Sequence, residues 1–135
     1  MPWIKPIYLS DKPVVNVLCF HFAGGSASSF LRVFDEAPPG ISVYGVQLPG
    51  REDRFCEPFV PFLTEIVDCI AEEIEGNFDI PVQFYGHSLG AIIAYEVTKK
   101  LKFLNEKKVP FALTVSGARA PMVRNSRKTL IDYPR

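Results

Sequence analysis

A serine flanked by glycines is the strongest candidate for chemistry in this sequence. Residues 82–95 read VQFYGHSLGAIIAY, in which GHSLG at positions 86–90 joins a short β-prone run to an apolar segment in helical spacing. This is the G-x-S-x-G pattern of a nucleophile elbow, a sharp strand-to-helix turn that projects a serine hydroxyl into a cleft. The pattern predicts covalent catalysis with Ser88 as the nucleophile.

The two glycines and the helix explain why this spacing suits a catalytic serine. Gly86 and Gly90 lack the Cβ atoms that would collide where the strand doubles back into the helix. The helix that begins after Ser88 directs its free amides into the same cleft, so the Leu89 N–H is expected to stabilise an oxyanion. An ordinary Gly-Ser turn gives the same letters, but the strand before and the helix after favour the elbow.

Three cysteines are the other potential nucleophiles. Cys19, Cys56 and Cys69 are odd in number and fit no C-x-x-C metal or redox spacing, which indicates free thiols in a reducing compartment, the cytoplasm. Cys19 falls in a predicted strand and Cys69 on the apolar face of a predicted helix. Core filling is therefore the preferred interpretation for these two.

Strands and helices that alternate along the chain must position Ser88. The alternation predicts right-handed crossovers and a parallel sheet, with an irregular N-terminal arm that has room for one short edge strand. The predicted strands are Val14–Phe20, Ile41–Leu48, Val82–Tyr85 and Phe111–Ser116; the predicted helices are Ala27–Glu36, an amphipathic segment from Leu63 to Gly76-Asn77, and the segment that follows Ser88.

Composition narrows the classes of function. The 135 residues are 47% apolar and carry 15 basic and 15 acidic side chains, which predicts one packed domain and gives no electrostatic case for nucleic acid or an anionic membrane. We find no signal peptide and no stretch long enough to span a bilayer. Because the sequence also contains no metal-ligand cluster and no nucleotide-phosphate loop, it implies no metal and no cofactor.

Four motifs in order resemble one enzyme family. They are CFHFAGGS at 19–26, VQLPGRE at 46–52, GHSLG at 86–90 and SGARAP at 116–121. Together they resemble the type II thioesterases of nonribosomal peptide and polyketide synthesis, which belong to the α/β-hydrolase superfamily. The QLPGRE segment distinguishes this family from other α/β-hydrolases better than the elbow does. The resemblance implies an α/β-hydrolase-like parallel sheet with flanking helices, formed by residues 1–135 as one partial thioesterase domain.

The resemblance also implies a reaction and a partner. Family members are stand-alone editing hydrolases that remove acyl or aminoacyl groups held as thioesters on the phosphopantetheine arm of carrier proteins. Carried onto this sequence, Ser88 matches the nucleophile, and the backbone N–H groups of Ala23 and Leu89 match the oxyanion hole. Ser116 and Arg119, near the end of the last predicted strand, are candidates for substrate contact.

The sequence departs from the family pattern in two places. His21 and Phe22 stand before A-G-G, where family members usually have proline and then an aromatic residue or histidine. The family's catalytic acid and histidine lie C-terminal to the S-G-x-R-A-P segment, and this sequence ends at Arg135 before such a pair. We therefore expect a truncated or split thioesterase that lacks the C-terminal strands and leaves 111–116 as an unprotected apolar edge.

Neither histidine of the sequence replaces the missing pair convincingly. His87 adjoins Ser88, where strand alternation turns its side chain away from the cleft, so we expect a structural role. His21 follows a neighbouring strand and is the alternative base, although no carboxylate partner for it is evident. Because a serine without its base is a poor nucleophile, this chain is expected to hydrolyse thioesters poorly or not at all alone.

Two other functions compete with an acyl-thioester hydrolase. One is a non-catalytic module that binds a carrier protein or an acyl chain through the retained cleft. The other is a general serine esterase or lipase, which the QLPGRE segment at 47–52 disfavours.

Overall fold

The computed structural model describes residues 3–21, 37–48 and 62–117. Within these residues the elements are the strands β1 (Ile4–Tyr8), β2 (Val15–Phe20), β3 (Ile41–Val46), β4 (Val82–His87) and β5 (Ala112–Ser116), the helices α1 (Leu63–Asn77) and α2 (Leu89–Leu104), and a 3₁₀ turn, Glu106–Lys108. The described strands form one sheet in the order β1-β3-β2-β4-β5. Each strand predicted from the sequence is present, and the predicted helix Ala27–Glu36 lies outside the described residues.

The sheet is parallel from β3 to β5 and antiparallel at β1. Strands β3, β2, β4 and β5 pair in parallel as predicted. The N-terminal arm forms the edge strand, but β1 runs antiparallel to β3, so the expectation of a wholly parallel sheet needs this correction. The physical reason is the short link at 9–14 between β1 and β2, because a parallel arrangement of successive strands needs a much longer crossover. Pro6, which has no N–H to donate, is tolerated in such an edge strand.

The main core lies between one face of the sheet and the two helices. Helix α1 buries one stripe of apolar side chains at the predicted spacing, and α2 packs beside it. Phe20 of β2 and Phe84 of β4 meet edge to face under these helices, with ring centroids 5.0 Å apart. The N-terminal arm is fastened to the same layer, because the Trp3 N–H donates to the Glu73 carboxylate at 2.9 Å.

A second apolar cluster covers the opposite face of the sheet. It contains the fully buried side chain of Cys19, together with Val17 and Val43. Burial raises the pKa of the Cys19 thiol to about 12, so this group stays protonated at neutral pH and is no nucleophile. Core filling is thus confirmed for Cys19. Cys69 is half-buried on α1 and packs against the main core, and Cys56 lies outside the described residues.

The buried thiol of Cys19 predicts a loss of stability at high pH. The thiol ionises near pH 9 in the unfolded chain but only near pH 12 in the folded one, so between these values ionisation favours unfolding. We expect this group alone to lower the free energy of unfolding by about 1.4 kcal/mol between pH 8 and pH 10. Urea titrations at both pH values, compared with Cys19→Ala, measure the effect. Equal pH dependence in both proteins would contradict it.

Strand β5 lies at the edge of the described sheet and pairs there with β4. Its side chains are half-buried except Thr114, which is exposed, and Phe111 just before the strand is 61% exposed. Among the described strands, β5 thus pairs on one side only and carries apolar side chains, as expected for an apolar edge strand. Among the helices that the structure describes, none has the length and apolar character needed to cross a membrane.

Candidate active site

Ser88 occupies a sharp turn between sheet and helix. His87 is the last residue of β4 and Leu89 the first of α2, so the reversal takes place at a single residue. Ser88 has φ 55° and ψ −119°, and within the described part of the chain it is the one non-glycine residue with positive φ. This backbone conformation is unfavourable for a residue with a Cβ atom, by about 1–3 kcal/mol. The strand, turn and helix of the predicted elbow are therefore present.

The flanking glycines make the turn sterically possible. A Cβ atom on Gly86 would lie 2.6 Å from the Cα atom of Ala91, and one on Gly90 would lie 2.0 Å from the carbonyl oxygen of Phe20. Both obstacles are main-chain atoms, which cannot rotate aside as a flexible side chain can. Gly86 therefore lets the strand approach α2, and Gly90 lets the first turn of α2 sit against the end of β2.

The Ser88 hydroxyl is not used to cap the helix. A serine at this position usually has extended backbone angles and accepts a hydrogen bond from an amide of the first helical turn. Ser88 makes no such side-chain bond; instead the Ala91 N–H donates to the Ser88 carbonyl at 3.0 Å. The side chain is half-buried. Its hydroxyl is thus presented beside the helix N-terminus without being bound to it.

The amide of Leu89 is the described candidate for an oxyanion donor. Because Leu89 is the first residue of α2, its N–H has no partner within the helix, and the helix N-terminus adds partial positive charge. This amide directly follows Ser88, so an oxyanion formed on a group bound to the serine would lie close to it. Ala23, the second predicted donor, lies outside the described residues.

A polar cluster lies beside the elbow, where β4 and β5 end. The Ser116 hydroxyl is 2.9 Å from Nδ1 of His87 and 3.0 Å from the hydroxyl of Tyr85. The Ser116 carbonyl accepts a hydrogen bond from the Ser88 N–H at 2.8 Å. His87 is therefore bound to the neighbouring strand, in agreement with the structural role predicted for it.

These contacts could not be predicted from the sequence. It flagged Ser116 as a candidate for substrate contact, whereas the structure places the Ser116 hydroxyl between two side chains of β4. The contacts depend on the register of β4 and β5, which sets His87 opposite Ser116. Local sequence patterns do not specify this register. Arg119, the other candidate for substrate contact, lies outside the described residues.

His21, the alternative base, is buried where β2 ends. Its side chain is 3% exposed, and its carbonyl oxygen would be 2.6 Å from a Cβ atom on Gly90. The His21 backbone is thus part of the surface on which α2 begins. The structure gives this residue a clear packing role beside the elbow.

Comparisons with known proteins show which sequences this chain resembles. A sequence model of the thioesterase domain matches residues 15–132. The chain is 36% identical over 121 residues to the gramicidin S biosynthesis protein GrsT of Aneurinibacillus migulanus, an alignment that covers 90% of this chain and 47% of that protein. It is 35% identical over 126 residues to thioesterase PikA5 of Streptomyces venezuelae, covering 93% of this chain and 44% of the relative.

A solved structure shares the same fold. The type II thioesterase BorB from the borrelidin biosynthetic cluster superposes with a TM-score of 0.79 at 27% identity, covering 90% of this chain and 49% of that one. The architecture is therefore that of the α/β-hydrolase fold, here with a mixed sheet. The chain spans a little under half the length of these three proteins.

Proposed function

The chain belongs to the thioesterase domain family, and from that premise we propose that Ser88 is the nucleophile in the hydrolysis of acyl or aminoacyl thioesters. The observation that carries the proposal is the backbone of Ser88, held at φ 55° with a hydroxyl that does not cap α2. Strained backbone conformations of this kind cluster at active sites. In the proposed substrate the acyl group is bound to the phosphopantetheine arm of a carrier protein.

Two acyl transfers make up the proposed reaction. The Ser88 oxygen attacks the thioester carbonyl carbon while a base takes the hydroxyl proton; the carbon–sulfur bond then breaks, and the thiol leaves with that proton. Water next attacks the serine ester, which releases the acid and restores the hydroxyl. In both steps the Leu89 N–H donates to the oxyanion, and the Ala23 N–H is proposed as the second donor.

The proposal assigns no histidine as the base. His87 is bound to Ser116, and His21 packs in the interior where β2 ends. A serine whose base is not assigned is expected to be a weak nucleophile. We therefore expect slow but measurable turnover, so the experiments compare variants of this chain with one another.

The names of the relatives support the choice of substrate and partner. GrsT is named for gramicidin S biosynthesis, and BorB is a type II thioesterase from a biosynthetic cluster. We propose that this chain likewise serves such a pathway and meets acyl or peptidyl carrier proteins. The free thiol of Cys19 fits the reducing cytoplasm that we propose as the location of this protein.

Discharge of a loaded carrier protein tests the proposal. We expect the chain to accelerate release of an acyl group from a carrier thioester at least tenfold over buffer, with Ser88→Ala at the buffer rate. Intact-mass spectrometry of the carrier measures the release. An oxygen ester of the same acyl group should react more slowly relative to its own buffer rate. Carrier binding without Ser88-dependent discharge would support a non-catalytic module, and preference for the oxygen ester would support a general esterase.

A further inference from the structure

The strained backbone of Ser88 needs support that the flanking glycines do not supply. A residue with φ 55° and ψ −119° keeps this conformation only if the surrounding structure fixes it. Gly86 and Gly90 remove collisions and so permit the turn. They do not bind the peptide that joins His87 to Ser88, and that peptide sets the direction in which the serine leaves the strand.

The end of β5 binds this peptide directly. His87 and Ser116 are partners in the parallel register of β4 and β5. One residue further on, the Ser88 N–H donates to the Ser116 carbonyl at 2.8 Å. The same residue also reaches back with its side chain, because its hydroxyl lies 2.9 Å from Nδ1 of His87. Ser116 therefore holds two consecutive residues of the elbow.

Gly117 lies against the Nδ1 and Cε1 atoms of the His87 ring. A Cβ atom on Gly117 would lie 2.5 Å from Cε1 and 2.9 Å from Nδ1 of His87, so the ring rests against the bare backbone of this glycine. Gly117 also has φ +66°, a conformation that favours glycine. The ring of His87 is thus fixed by a hydrogen bond on one edge and by van der Waals contact with Gly117.

The hydrogen bonds of Ser116 form whichever nitrogen of His87 carries the proton. A hydroxyl can donate one hydrogen bond while it accepts another. If Nδ1 is bare, Ser116 donates to it and accepts from Tyr85; if Nδ1 is protonated, Ser116 accepts from it and donates to Tyr85. The support from β5 therefore does not depend on one tautomer of His87.

We propose that Ser116 and Gly117 form a clamp that positions Ser88 for attack, an inference that rests on the proposed function of Ser88. The Ser116 carbonyl accepts a hydrogen bond from the Ser88 amide, and the Ser116 hydroxyl binds the His87 ring. Gly117 contacts the His87 ring. Both are positioning residues, since neither needs to touch the substrate. Displacement of an attacking group by about 1 Å can reduce a rate 10²-fold, so loss of one hydroxyl in this clamp has a measurable effect.

Two variants of equal shape isolate the Ser116 hydroxyl. Ser116→Thr keeps the hydroxyl and Ser116→Val replaces it with a methyl group, and both β-branched side chains suit a strand. The probe is an alkyl fluorophosphonate, whose phosphorus the Ser88 oxygen attacks while fluoride leaves. We expect Ser116→Val to lower the limiting rate of adduct formation at saturating probe at least tenfold, with the half-saturating concentration unchanged within twofold. Ser116→Thr should retain the rate within threefold.

Two further measurements separate positioning from folding. Unfolding midpoints in urea should be similar for the valine and threonine variants, and the ¹⁵N chemical shifts of the His87 imidazole should change in the valine variant alone. Equal limiting rates in both variants, with a Ser88 adduct in each, would overturn the clamp and leave the proposed function intact. Absence of a Ser88 adduct in the unmodified chain would overturn the proposed function and the clamp with it.

Discussion

Substitution of Gly90 by alanine is expected to unfold the chain or destabilise it by more than about 4 kcal/mol. The added Cβ atom would lie 2.0 Å from the carbonyl oxygen of Phe20 and 2.6 Å from that of His21. Both atoms belong to the main chain at the end of β2, which is paired on both sides, so they cannot move without disrupting the sheet. Since such domains are stable by only about 5–15 kcal/mol, this is a large fraction of the total.

The expected change in the free energy of unfolding has the opposite sign to the one that helix propensity predicts. The two explanations are therefore distinguishable. Alanine in a helix interior is more favourable than glycine by about 1 kcal/mol. Gly76→Ala in α1 is the matched control, because a Cβ atom there would meet nothing within 4 Å. We expect Gly76→Ala to be neutral or slightly stabilising in thermal and urea unfolding. A folded Gly90→Ala protein of unchanged stability would show that α2 does not pack against β2 as described.

Substitution of Ser88 by glycine is expected to abolish acyl transfer and to stabilise the fold. Glycine has no Cβ atom, so it relieves the folded state of the strain at φ 55°, which is about 1–3 kcal/mol. Glycine also gives the unfolded chain more conformational freedom, which opposes this gain by about 0.4–1 kcal/mol. The net expectation is a gain of about 1 kcal/mol in the free energy of unfolding, measured by urea titration. Loss of the hydroxyl should bring release of carrier-bound acyl groups down to the rate in buffer.

Ser88→Ala separates strain from chemistry. It removes the hydroxyl but keeps the Cβ atom, so it should be as inactive as Ser88→Gly and within about 0.5 kcal/mol of the unmodified chain in stability. If alanine and glycine stabilise equally, backbone strain at position 88 is not the source of the effect.

Local spacing was enough to predict the elbow and the helices near it. The G-x-S-x-G motif and the apolar runs on both sides specify a strand, a turn and a helix from neighbouring residues alone, and the structure has these elements at Val82–His87 and Leu89–Leu104. Helix α1 could be predicted in the same way, because its buried side chains recur at intervals of three and four residues.

Contacts between distant segments could not be predicted in this way. The antiparallel direction of β1 depends on its choice of β3 as a partner, which the apolar pattern of Ile4–Tyr8 does not encode. The contact of Ser116 with His87 depends on the register of two strands that are separated by all of α2. A shift of one residue would turn the Ser116 side chain to the opposite face of the sheet. The role of Ala23 stays a prediction from the family resemblance.

The central claim is that Ser88 is a nucleophile, and the site of a covalent adduct tests it most directly. The chain is treated with an alkyl fluorophosphonate, digested and mapped by tandem mass spectrometry, with Ser88→Ala treated in parallel. We predict a single phosphonylated position, Ser88, and no adduct in the alanine variant. An adduct on another residue, or equal labelling of a folded Ser88→Ala protein, would contradict the account.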